Sequence, residues 1–362
     1  MSTVIALASA AITSAIVAVL LIVTRRYHGH LSMDSSSGVQ KLHVNPTPRV
    51  GGVAVMVGAI VGGMMLDGSA ANLWWLIALA SLPAFTAGFI EDITKKVGVK
   101  IRLGATILSG LAFCLISHAA IDRVDLPGLD QILAWWPAAV LFTAFAIGGI
   151  ANAVNLIDGV NGLASGTAII ILSGMAVVCL QVGDIALMQI CLLAIGATLG
   201  FFLTNYPRGW IFLGDAGAYG LGFILAVIAV LLPARNPELS PLIGLLALSY
   251  PVIETFVSIH RRLVRADTNP GQPDRLHLHS LVFRNMAVRV ARACGMPGMR
   301  NAMTSTIMWI LPLISSALTV LAARSSIAIW AGLGVMLVVY LLAYRRVALL
   351  RGSQSPMAAL RS

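Results

Sequence analysis

Four carboxylates, each beside small residues or at the end of an apolar run, carry the chemistry this sequence can do. Of its 14 Asp and Glu residues, most read as solvated loop acids. Glu254 falls inside an apolar run and reads as a structural partner for Arg261 or for a basic loop residue. Glu91 and Asp92 close one apolar run, in A-G-F-I-E-D-I-T-K-K. Asp158 sits in A-N-A-V-N-L-I-D-G-V-N-G-L-A-S-G, and Asp215 in I-F-L-G-D-A-G-A-Y-G-L-G-F. Three carboxylate sites where apolar runs meet loops suit a hard divalent cation, because Mg2+ prefers oxygen ligands and keeps phosphate or water as its other partners. Gly159, Gly162 and Gly166 follow Asp158, and Gly214 and Gly217 flank Asp215. Such residues let backbone approach a ligand or a neighbouring helix closely, and leave N–H groups free at helix starts where anions bind. Asn152 and Asn155, three residues apart, share one helical face directed at the same rim.

Basic and imidazole groups add a second set. In K-L-H-V-N-P-T-P-R-V-G-G two prolines bracket Thr47 and fix an extended turn that delivers Arg49 to the rim. Arginine forks well onto phosphate oxygens, although a basic residue here serves equally as a topological anchor. In N-P-G-Q-P-D-R-L-H-L-H-S, His277 and His279 are too close for one helical face. Beside Arg275 and Asp274 they suit phosphate donors, metal ligands or acid–base groups, or simply a solvated basic loop. The following L-V-F-R-N-M-A-V-R-V-A-R reads as a helix lying on a membrane surface.

The elements that must hold these groups are membrane spans. The chain has 362 residues, 58% hydrophobic and 10% charged, against about 25% charged in soluble domains. That excludes an ordinary soluble enzyme. Apolar runs near residues 2–24, 50–66, 73–90, 103–121, 132–151, 163–182, 185–203, 217–233, 240–259, 304–322 and 326–344 predict an all-α polytopic membrane protein of about eleven spans in a single domain, 1–362. All but three of the 24 Lys and Arg fall on one side, mainly in loops 25–49, 91–102, 204–216 and 260–303 and after residue 344. Only Arg123, Arg235 and Arg324 fall on the other. Basic residues near span ends stay cytoplasmic, so the N-terminus is expected outside, the C-terminus in the cytoplasm, and Asp92, Asp158 (loop 152–162) and Asp215 at the cytoplasmic face. The net charge of +10 then needs no nucleic acid, since topology and anionic lipid account for it. Four irregularly spaced cysteines suggest neither a disulfide framework nor a zinc site.

Taken in order, P-T-P-R-V-G-G, the closing acid pair, N-x-x-N-x-x-D-G-x-N-G-L, G-D-A-G-A-x-x-L-G-F and P-D-R-x-H-x-H resemble the polyprenyl-phosphate N-acetylhexosamine-1-phosphate transferases, glycosyltransferase family 4. The resemblance implies transfer of a sugar 1-phosphate from a UDP-N-acetylhexosamine to undecaprenyl phosphate in a bacterial inner membrane, with Mg2+ or Mn2+. By the same resemblance, Asp215 holds the metal and Asp158 positions metal or nucleotide, while Glu91 or Asp92 positions or deprotonates the lipid phosphate. Asn152, Asn155 and Asn161 lie at the nucleotide, Arg275, His277 and His279 at the sugar diphosphate, and Arg49 at a phosphate. A homodimer is a family-level expectation. Two places depart from the pattern: Glu91 stands where the family usually has Asp, and Ser280 where a second adjacent histidine is common. P-T-P-R-x-G-G resembles the branch that initiates O-antigen, enterobacterial common antigen and teichoic acid more than the muramoyl-pentapeptide branch. The competing expectation is a polytopic secondary transporter, whose ionisable residues would gather near mid-membrane.

Overall fold

In lipid an apolar segment has to satisfy its own backbone hydrogen bonds, so each of these runs folds as a helix. The computed structural model describes residues 2–34, 47–264 and 276–350, and these are overwhelmingly helical. Eleven helices form the frame: α1 (Ser2–Val23), α2 (Gly51–Gly63), α3 (Gly68–Thr94), α4 (Val99–Ser117), α5 (Trp136–Ile157), α6 (Leu163–Val182), α7 (Ile185–Asn205), α8 (Gly214–Arg235), α9 (Ser249–Val264), α10 (Ile310–Ala322) and α11 (Ser326–Leu349). Among the described residues, 9 helices are long and apolar enough to cross a bilayer, with α10 counted in a continuous Pro297–Ala322 segment. The chain is therefore a multi-pass membrane protein. Met33–Asp34 pairs antiparallel with Thr47–Pro48.

Two expected spans are not single long helices. The run 50–66 yields the 13 residues of α2, about 20 Å at 1.5 Å per residue. The run 240–259 breaks at Leu248 into Ile243–Ala247 and α9. Pro251 explains the break, because it has no N–H to return to the Ala247 carbonyl. The Ser315 hydroxyl of α10 donates to that carbonyl instead, at 3.1 Å.

Small residues set the packing. Gly58 of α2 approaches Ala10 O so closely that a Cβ there would lie 2.6 Å away, and Gly196 and Gly200 of α7 press on the other side of the same α1 backbone. Such close approach is how helices associate where lipid removes the hydrophobic drive between them. At the centre runs α8, buried along nearly its whole length. At one end of the bundle the Arg235 guanidinium, at the end of α8, donates twice to Asp184 in the α6–α7 turn, at 2.6 and 2.9 Å. Arg123 and Arg324 lie at that end too. The opposite end gathers the turns 95–98, 158–162 and 206–213 and every candidate acid.

Candidate active site

The first turn of α8 is built against the chain around Arg49. The N–H groups of Gly51 and Gly52 donate to the Phe212 and Leu213 carbonyls at 2.9 and 2.8 Å, and Phe212 N–H donates to Pro48 O at 2.8 Å. A Cβ on Gly88 of α3 would lie 2.6 Å from Ala216 N, and one on Gly52 would overlap the Gly217 backbone. Gly214 has φ +75° and meets both the Arg49 carbonyl and Asp92, so only glycine fits. The P-R-V-G-G and G-D-A-G segments are thus two halves of one backbone joint.

Asp92 completes the joint. It is fully buried, and its Oδ1 and Oδ2 accept the N–H groups of Asp215 and Ala216 at 2.8 and 2.9 Å. A carboxylate at this position satisfies two donors that the helix leaves open and faces the positive end of its dipole. Arg49 Nη2 lies 3.6 Å from the same carboxylate. The neighbouring acid does something different: Glu91 Oε2 accepts Val97 N–H at 2.7 Å and ties the α3–α4 turn. Its extra methylene over aspartate suits that reach.

Asp215 is the convergence point. Arg49 Nη2 and Asn155 Nδ2 donate to its Oδ1 at 3.2 and 3.1 Å, and Arg102 pairs with its Oδ2. Two guanidinium groups from α4 and the Pro48–Gly52 segment therefore meet one acid, and both keep part of their side chains open to solvent. Asp158, at the end of α5, feels the charges of Asp215 and Arg49. Burial, reinforced by the Asp215 carboxylate, pushes its carboxyl up to about 7. Its side chain takes no hydrogen bond among the described residues. The carboxylate oxygens of Asp158 and Asp215 are hard donors of the kind Mg2+ takes. No three His, Cys, Asp or Glu among the described residues are grouped as a metal cage. Mg2+ does not need one, since it commonly takes one or two carboxylates plus phosphate and water.

The asparagines divide. Asn152 Nδ2 donates to Thr106 Oγ1 at 2.9 Å and to Gly148 O at 2.8 Å, joining α5 to α4. Asn161 braces a turn: its N–H donates to Asn301 Oδ1 at 2.7 Å, its Nδ2 to Pro207 O at 3.1 Å, and its carbonyl accepts from Ser305 Oγ at 2.6 Å. Asn155 is thus the asparagine of the three that touches Asp215.

His277 and His279 are buried and stacked, 5.5 Å apart with rings 5° from parallel. His279 lies against Gly159, the neighbour of Asp158; burial depresses its imidazole to about 4, and its Nδ1 has no partner. Arg275 lies outside the described residues. Of the two partners expected for Glu254, Arg261 or a basic loop residue, the structure gives the loop's His277, at 3.2 Å. Arg261 instead donates to Leu276 O at 3.0 Å and to Tyr344 OH at 2.9 Å. Sequence reasoning missed three groups here. Arg102 was counted with the span-end basics, although its place in the first turn of a span was a usable signal. Tyr340 and Tyr344 of α11 gave none, because aromatics are ordinary in an apolar helix.

Residues 74–233 match the model for glycosyl transferase family 4. The chain is 30% identical over 244 residues (66% of this chain, 66% of the relative) to a probable undecaprenyl-phosphate N-acetylglucosaminyl 1-phosphate transferase of Bacillus subtilis (strain 168). It is 27% identical over 276 residues (73% of each) to an undecaprenyl-phosphate alpha-N-acetylglucosaminyl 1-phosphate transferase of Yersinia pestis. A phospho-N-acetylmuramoyl-pentapeptide-transferase of Synechococcus sp. (strain JA-3-3Ab) is 35% identical over 199 residues, but these are only 51% of this chain and 56% of the relative.

Proposed function

The chain belongs to glycosyl transferase family 4, and on that premise we propose that it transfers an N-acetylhexosamine 1-phosphate from a UDP-sugar to undecaprenyl phosphate, releasing UMP. The observation that carries the proposal is the meeting of Arg49, Arg102 and Asn155 on Asp215, beside Asp158 and directly above the Asp92-capped start of α8. A phosphate oxygen of the lipid attacks the sugar-bearing phosphorus, a P–O bond of the diphosphate breaks, and UMP leaves with its electrons. Such a displacement needs alignment and charge neutralisation more than covalent help.

Arg49 and Arg102 are suited to grip non-bridging phosphate oxygens, and Asp215 orients both guanidinium groups for that task. Asp158 and Asp215 would hold Mg2+, which when bound supplies charge neutralisation at the diphosphate. Asp92 positions the others through α8, and its two oxygens are committed to N–H groups. The lipid phosphate is largely ionised at neutral pH, so the attack proceeds without a protein base. His277 and His279 face the sugar diphosphate from the Gly159 side. The site belongs at the cytoplasmic face of the inner membrane, a placement supported by the concentration of Lys and Arg at this end. The GlcNAc-related names of the relatives and the P-T-P-R-V-G-G segment favour N-acetylglucosamine and a surface polysaccharide as the product's destination.

The transporter reading has no support, since the candidate acids gather at one end of the bundle. The deciding experiment incubates the purified protein with UDP-N-acetylglucosamine and undecaprenyl phosphate, scoring UMP and lipid-linked sugar with Mg2+ and with EDTA. Product that requires Mg2+ is expected, and its absence across a panel of UDP-N-acetylhexosamines refutes the proposal.

A further inference from the structure

Glu254 is a carboxylate inside a helix that the reaction above does not use, yet it is among the best-satisfied groups in the molecule. It is 1% exposed. Its Oε1 takes Leu278 N–H at 3.1 Å and His277 Nδ1 at 3.2 Å, and its Oε2 takes the Tyr340 hydroxyl at 2.9 Å. The two partners other than the imidazole are donors to it, and a carboxylate only accepts, so His277 Nδ1 carries a proton. That leaves Nε2 as the nitrogen of His277 available to a ligand.

A second clamp of the same kind lies seven residues further along α9. Arg261 and Tyr344 both bond the Leu276 carbonyl, at 3.0 and 3.2 Å. The backbone from Leu276 to Leu278 is therefore held at both ends by α9 and α11. From there the path to the acids is short: His277 stacks on His279, and His279 packs on Gly159 beside Asp158. A buried carboxylate is costly to keep in an apolar helix. Packing alone would be served as well by an apolar side chain, which could not fix the ring of His277.

We infer that Glu254 is a positioning residue for the sugar-diphosphate side of the site, holding His277 in one tautomer and one orientation so that Nε2 meets the ligand. The inference rests on the transferase reading. It assigns Glu254 no contact with substrate and locates its effect in His277. The role is the one a second carboxylate plays when it orients a ligating histidine.

A double-mutant cycle tests it on the full-length protein in detergent or nanodiscs, with UDP-N-acetylglucosamine and undecaprenyl phosphate as substrates. Glu254→Gln keeps the shape but can donate as well as accept, so it no longer fixes the His277 proton. Expected is a rise of about tenfold in KM for the UDP-sugar, with kcat and the KM for undecaprenyl phosphate changing less than about threefold. In a His277→Ala background the same substitution should add nothing further. Glu254→Asp, which keeps the charge with a shorter reach, should recover part of the loss.

Additive effects of Glu254→Gln and His277→Ala overturn the inference, as does a uniform fall in kcat with both KM values unchanged. If Glu254→Gln is not recovered folded, Tyr340→Phe runs through the same cycle. It frees one carboxylate oxygen, with a rise of about threefold expected and additivity again the refuting result. Wild-type protein that makes no lipid-linked sugar at all refutes the transferase reading instead, so the two failures are distinguishable.

Discussion

Replacing Asp92 with Asn separates a capping role from a chemical one. In the wild type both carboxylate oxygens accept backbone N–H groups, those of Asp215 and Ala216, at 2.8 and 2.9 Å in a fully buried place. Asparagine has one oxygen, so one of these N–H groups would face an amide NH2 and lose its partner. A buried donor left unpaired costs about 1–3 kcal/mol. Loss of a negative charge at the positive end of α8 adds roughly 0.3–1 kcal/mol. Asp92→Asn should therefore destabilise the protein by roughly 1–4 kcal/mol, and the shifted first turn should carry Asp215 away from Arg49 and Arg102. The measurement pairs thermal unfolding in detergent with sugar-phosphate transfer on the same preparation. Both should fall together. A variant that melts at the wild-type temperature yet transfers nothing would show Asp92 acting on the substrate itself, and the capping argument would be wrong.

Three further outcomes follow from the same geometry. Arg102→Gln removes a charge-assisted contact to Asp215, so transfer should drop by about 10–100-fold with little loss of thermal stability; an unchanged rate would remove Arg102 from the site. Gly88→Ala places a methyl 2.6 Å from Ala216 N, and overpacking of that kind costs about 1–3 kcal/mol, readable as a lowered melting temperature, with a wild-type melting curve counting against the backbone joint. His279 stays neutral when folded because burial takes its imidazole down to about 4, whereas the unfolded chain protonates near pH 6.5. The unfolded state then binds more protons between about pH 6.5 and 4, so stability should decline as pH falls through that window. His279→Gln, which cannot titrate, should flatten the decline.

The apolar runs and the charge asymmetry made the spans legible, because lipid leaves the backbone no alternative to helix. The acids at the rim were legible for a related reason: in a chain with so few charges, an aspartate beside glycine is conspicuous. What could not be read was which partner each group takes. Asn152 and Asn155 share a helical face, yet only Asn155 reaches Asp215, because Thr106 of α4 stands opposite Asn152. Glu91 and Asp92 are adjacent but point to different tasks, since successive helical residues face about 100° apart. Arg102 looked like any span-end basic residue, and its pairing depends on how α4 is turned against α8. The break before α9 has its cause in Pro251, within a run that reads as continuous, but the hydroxyl that pairs the freed Ala247 carbonyl comes from α10, far along the chain.

The enclosure of α8 sets it apart from the other spans. Its mean hydropathy of 2.1 is that of a lipid-facing span, yet 94% of its apolar window is shielded by neighbouring helices. The apolar character of α8 therefore serves its entry into the bilayer, after which protein takes the place of lipid around it. Asp215 rides at the tip of this enclosed column, whereas Arg102 rides on α4, of whose window only 28% is shielded. Asp215 thus stands on a helix enclosed by protein on nearly every side, and its partner Arg102 on one left open along much of its length.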